Sequence, residues 1–244
     1  MSKGRFEKNA QRRSFSGKAV ALMLACVLLI GCVVGGTVAW LTAKTNEVTN
    51  VFTTSDINIS LQEHKYDATN DKLMDEETHT GVDNYKMVPG WTIPKDPWLT
   101  VKKDSEDCWL FIKVEEKGGD VTVGSTACSF ENFIAYKIDD NNWNQLKDEL
   151  GNVVEGVYYC YAKDITSDRN IKILAGGEYE YDGVTYTWEP NQVLTKPEVT
   201  KEMMNAVKTD NKPTLTFTAY ASQYWKNNTT AFEAIEAWNN VSGN

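Results

Sequence analysis

The side chains best suited to metal or nucleophile chemistry in this 244-residue chain are two histidines, His64 and His79, and three cysteines, Cys108, Cys128 and Cys160. A zinc peptidase needs two His one helical turn apart, a third ligand and a general-base Glu, and no H-E-x-x-H is present. The two His lie fifteen positions apart in a polar stretch, which reads as a pair of exposed histidines. No C-x-x-C, G-x-S-x-G elbow or P-loop occurs, and no His neighbours a Cys in the sequence. Three cysteines allow one disulfide plus a free thiol, or three buried thiols. Asp67, Asn70, Asp71, Asp75, Glu76 and Glu77 bring oxygen ligands together, but without the spacing or central Gly of an EF-hand loop. The expectation is a protein with no catalytic residue, no metal site and no cofactor. Trp98, Trp109, Trp143 and Trp188 can either line a carbohydrate platform or fill a core, and core filling is the commoner use of such rings.

Charge is distributed unevenly. Residues 1–39 hold six Lys/Arg against Glu7, which leaves 19 basic and 33 acidic side chains from Trp40 onward, a net of −14. Phosphate backbones are bound by basic patches, so duplex nucleic acid is excluded as a natural partner. At 41% hydrophobic and 24% charged the chain can build a core, and its 8 Trp, 11 Tyr and 8 Phe favour strands.

Lys3, Arg5, Lys8, Arg12, Arg13 and Lys18 precede sixteen uncharged residues, 19–34, and then small ones at Gly35, Gly36, Thr37, Val38 and Ala39. Basic, apolar, small is the order of a secretory signal, with Thr37 and Ala39 suited to a signal peptidase. Cleavage between Ala39 and Trp40 is expected, after which the product is extracellular or on the cell surface. Because the uncharged stretch runs on to Ala43, a retained single-span anchor is the main alternative, and contact with a membrane is expected only through this segment. Leu29-Ile30-Gly31-Cys32 also resembles a lipobox, and Arg12-Arg13 a twin-arginine signal.

Further along, 56–62 (D-I-N-I-S-L-Q) alternates with Ile57, Ile59 and Leu61 on one face, as a half-buried strand does. Residues 64–84 read as an exposed acidic loop. The runs 98–103 and 109–115 are expected to pair antiparallel, and Asp182-Gly183 to join 178–181 to 184–188 as a two-residue hairpin. Residues 214–224 alternate as a long core strand, with Leu215, Phe217, Ala219 and Ala221 inward. Two helices are expected, 200–207 capped by Thr200 and 229–238 with Thr230 and Glu233 as a capping box. The sum is a mainly β, antiparallel β-sandwich with a few short helices, arranged as a signal peptide 1–39, an extended segment 40–52 and one domain 53–244.

Gly35-Gly36-Thr37-Val38-Ala39-Trp40-Leu41-Thr42, Val48-Thr49-Asn50-Val51-Phe52-Thr53 and Asp56-Ile57-Asn58-Ile59 resemble the N-terminus of the TasA/camelysin group, Gram-positive proteins exported through SipW-type signal peptidases. Similarity continues at Tyr85-Lys86-Met87-Val88-Pro89-Gly90, at Lys95-Asp96-Pro97 and from Asp104 to Val114, and more loosely around Tyr158-Tyr159-Cys160-Tyr161 and Ala219 to Gln223. The resemblance implies a jelly-roll-like sandwich, processing by a SipW-like peptidase and self-association into biofilm matrix fibres, in which the freed N-terminus of one subunit adds a strand to the next. Leu41, Val48, Val51 and Phe52, apolar residues in a polar stretch without helical period, are the candidate donor-strand side chains. A tether, or pairing within the same subunit, is the other expectation for 40–52. A monomeric surface adhesin or glycan-binding domain is the alternative function, and a camelysin-like metallopeptidase a more remote one.

Overall fold

The structure is a computed structural model that describes residues 42–46, 49–50, 57–67, 69–70, 72–80, 84–227 and 229–243, with 42–46, 49–50, 75 and 76 described by backbone alone. Its architecture is mainly β, built from antiparallel sheets. The run C-W-L-F-I-K-V is apolar on both parities, and as strand Cys108–Lys117 it is covered on both faces. Leu110 and Ile112 have no exposure on one side, and Phe111 none on the other.

Around this strand a six-stranded sheet runs in the order Asn144–Lys147, Val153–Ala162, Cys108–Lys117, Thr214–Gln223, Thr42–Asn46 and Thr49–Asn50. A four-stranded sheet follows the order Arg169–Lys172, Trp98–Val101, Ile59–Asp67 and Lys72–His79. Leu99, Val101 and Ile59 from the smaller sheet share a core with Leu110, Ile112, Cys160, Ala219 and Ala221 from the larger. On the other face of the larger sheet, helix Ala234–Ser242 lays Ala237, Trp238 and Val241 over Phe111, Val157 and Tyr220.

Much of the alternation reading holds. Strand Thr214–Gln223 buries Ala219 and Ala221 completely, with Leu215 and Phe217 packed at the margin of the same core. Gly177–Tyr181 pairs with Val184–Trp188 through Asp182 at φ 49 and Gly183 at φ 75, the two left-handed positions of a type I′ turn. Helix Lys201–Ala206 starts where the sequence places it, with the Met203 amide donating to the Thr200 hydroxyl at 3.2 Å.

Three expectations are corrected. The runs beginning at Trp98 and Trp109 do not pair with each other; Trp98–Val101 joins the smaller sheet and Cys108–Lys117 the larger. The link between them turns through Asp104 at φ 63, and the Ser105 hydroxyl donates to the Lys102 carbonyl while accepting from the Asn58 amide. Residues 64–84 are not one loop, since Ile59–Asp67 and Lys72–His79 form a hairpin with a register shift between His64 and Lys65. A ladder is made by backbone groups and needs few apolar side chains, and Tyr66, buried against the Tyr85 ring at 4.6 Å, anchors this one. The last helix begins at Ala234, because the Thr230 amide is bound by the Asn227 side chain and Thr230–Ala231 pairs with Trp225–Asn227. Glu233 caps instead, its amide donating to Glu236.

Candidate functional site

The first described strand, Thr42–Asn46, lies antiparallel on the 214–223 strand of its own chain, with Thr42 opposite Ser222, Ala43 opposite Ala221 and Thr45 opposite Ala219. Among the described residues its outer side is met only by the dipeptide Thr49–Asn50. The described part of the segment thus lies beside a strand of its own chain, in the intrachain arrangement that the sequence leaves open. The cleavage pair Ala39 and Trp40 and the candidate donor side chains Leu41, Val48, Val51 and Phe52 lie outside the described residues.

Both histidines occur on the 59–79 hairpin, and neither is simply exposed. The His64 amide donates to Asp96 Oδ1 at 3.0 Å, and its ring Nδ1 stands 2.5 Å from Oδ2, with the Trp98 ring 4.9 Å away. His79 sits opposite Glu63 in the ladder, its Nε2 3.8 Å from Glu63 Oε1. Lys95 donates to the other Glu63 oxygen at 2.8 Å and lies over the Tyr85 and Phe217 rings. Sequence reading missed this cluster, because the hairpin sets Glu63 opposite His79 while Lys95 and Asp96 arrive just before the Trp98–Val101 strand that pairs with Ile59–Asp67. A carboxylate holding an imidazole is half of a nucleophile-activating relay. Among the described hydrogen bonds His64 meets only Asp96.

Asp67 is occupied by its own turn, accepting from the Thr69 amide and the Asn70 side chain, which holds its carboxyl below the usual range. Glu77 faces Lys65 at 3.2 Å. Asp71 and the side chains of Asp75 and Glu76 lie outside the described residues. Among the described residues no three His, Cys, Asp or Glu are grouped as metal ligands.

Cys108, Cys128 and Cys160 are free and buried. Burial raises the Cys108 thiol above its ordinary value and pushes Cys160 up to about 12. Tyr136 and Tyr161 are raised chiefly by burial, and Tyr179, chiefly through its hydrogen bond to Glu198, is pushed up to about 12. Groups kept neutral by the fold contribute stability that is complete below their unfolded values and is lost as pH rises through the folded ones. The melting temperature should therefore fall steadily from about pH 9 to about pH 12 as the unfolded chain ionises. Melts followed by circular dichroism test this, and a flat profile over that range would refute it.

Of the four tryptophans considered for a platform, Trp143 and Trp188 are core residues and Trp98 packs on His64. Trp109 differs, meeting Tyr159, Tyr161 and Tyr224 at 5.4 to 5.6 Å on the helix-bearing face of the larger sheet. No family model, curated protein or solved structure matches the chain. Function must then be argued from this chain's own edges, charges and surfaces.

Proposed function

We propose that the chain is an exported, self-associating structural subunit of the TasA/camelysin kind, with a jelly-roll-like sandwich whose N-terminal strand passes between copies. It is not an enzyme in this reading. The placement of Thr42–Asn46 carries it: a strand held on its inner side by a ladder to 214–223 and, among the described residues, on its outer side by Thr49–Asn50 alone. Backbone pairing is indifferent to which copy supplies the strand, so the same segment from a second copy can occupy the same register. When each copy gives its strand to the next, the contact is head-to-tail, and it grows into a filament unless the rotation closes a ring. A net of −14 from Trp40 onward opposes that association near neutral pH and weakens as carboxylates protonate.

Protein beginning at Trp40 is expected to polymerise on acidification, as followed by light scattering and electron microscopy. Protein beginning at residue 53 should stay folded and monomeric, and should capture a synthetic 40–52 peptide. Val51→Asp should slow growth at least about tenfold relative to Asn50→Asp, since charge in a neighbour's pocket is costly while charge facing water is not. Equal growth of the two variants, or a truncated domain that ignores the peptide, removes strand exchange from consideration. A protein that stays monomeric in acid yet binds glycans fits the adhesin alternative. Casein cleavage abolished by His64→Ala would overturn the non-enzymatic reading.

A further inference from the structure

Trp109, Tyr161 and Tyr224 converge from three neighbouring regions of the larger sheet, and the Tyr161 and Tyr224 ring centroids are 4.2 Å apart. Tyr224 carries the group outward to Trp225, perpendicular to it at 4.8 Å and 45% exposed. The polar tips of the inner rings are turned into the protein: Trp109 Nε1 donates to the Phe232 carbonyl at 2.9 Å and the Tyr161 hydroxyl to Asp107 at 3.1 Å. Trp109, Tyr161 and Tyr224 are half-buried and Trp225 is exposed, so the ring surface that reaches solvent is greatest at Trp225. The other Asp107 oxygen accepts the Asp164 amide at 3.1 Å, which places the exposed Asp164 carboxylate at the rim. A strand ladder holds the base of the group, since Tyr161 pairs with Trp109 and Ser222 pairs with Trp109 on the other side.

We propose that this cluster binds a neutral β-linked pyranose oligosaccharide, with Trp225 as the outermost stacking ring. The flat face of a β-linked hexopyranose presents a patch of slightly positive C–H groups, complementary to the negative face of an aromatic ring. Its hydroxyls need acceptors at the edge, which Asp107 and Asp164 supply. Aromatic surface beside carboxylates suits a polyol better than an apolar protein face. The cluster uses other side chains than the strand exchange above, although it lies close to that edge, with Trp109 opposite Ser222 and Ser222 opposite Thr42.

Cellohexaose, chitohexaose and xylohexaose titrated into the purified full chain, followed by calorimetry and tryptophan emission, test the site. At least one should bind with Kd below about 1 mM and shift the emission. Trp225→Ala should weaken that binding at least about tenfold, Trp225→Phe should retain most of it, and Trp91→Ala, an exposed tryptophan elsewhere, should leave it unchanged. If Trp225→Ala does not fold, protection of wild-type emission from iodide quenching by the bound sugar, lost in Trp225→Phe only in part, serves instead. Failure of all three sugars to bind at about 10 mM overturns the proposal, as does binding that survives Trp225→Ala in a folded protein. Binding abolished by Trp91→Ala places the site elsewhere and equally overturns it.

Discussion

Replacing Glu63 with leucine should destabilise the protein by about 3–5 kcal/mol, while the double replacement Glu63→Leu with Lys95→Met should recover most of that loss. The reason lies in where the pair sits. Glu63 and Lys95 side chains are 12% and 11% exposed, and the ammonium lies over the Tyr85 and Phe217 rings, so little water reaches either charge. Removing the carboxylate alone leaves a buried cation without its counter-ion, and His79 loses its contact with Glu63 as well. Removing both charges leaves apolar stems of similar volume beside aromatic rings, an arrangement that costs little. Urea unfolding of the two singles and the double gives the cycle. A Glu63→Leu variant within about 1 kcal/mol of wild type would mean that solvent reaches Lys95 after all.

Gly156→Val is the second large effect, a loss of at least about 3 kcal/mol. Gly156 lies in the strand Val153–Ala162 at φ +67, and a Cβ there would stand 2.4 Å from the Val114 carbonyl oxygen. Two costs therefore combine, left-handed backbone and a collision with the central strand, and neither can relax without breaking the ladder between 108–117 and 153–162. Gly183 supplies the control, because it has φ +75 with nothing within 4 Å of its added Cβ. Gly183→Ala should cost only the backbone strain, about 1 kcal/mol. Equal melting temperatures for Gly183→Ala and Gly156→Val would show that the close approach carries no weight.

What could be read from the sequence was local. Alternation at Leu215, Phe217, Ala219 and Ala221 names an inward face, Asp182-Gly183 names a turn, and Thr200 names a helix start, because each depends on neighbours within a few residues. Partners are another matter. Alternation in 98–103 and 109–115 says that both are strands, and nothing in either says that they belong to different sheets. The 59–79 hairpin escaped notice because its residues are polar and a ladder is a property of the backbone. The two histidines looked unrelated for the same reason, as pairing alone sets His79 opposite Glu63. Sequence named Trp109 together with Trp98, Trp143 and Trp188 and without its companions, since Tyr161 and Tyr224 reach it from separate parts of the chain.

The antiparallel match of Thr42 with Ser222 joins residues 180 positions apart. It has a kinetic meaning, because closing so long a loop demands entropy before any of its hydrogen bonds can form. The central strand Cys108–Lys117 also waits, for its neighbour Thr214–Gln223 follows far later in the sequence. A polypeptide that emerges N-terminus first, from a ribosome or a narrow pore, cannot complete its largest sheet until residues 214–223 have come through. Folding should accordingly be slow and late, with the early part kept extended and threadable. The same delay leaves the 42–46 segment without its ladder for longest, and crowded neighbours have that interval in which to find it.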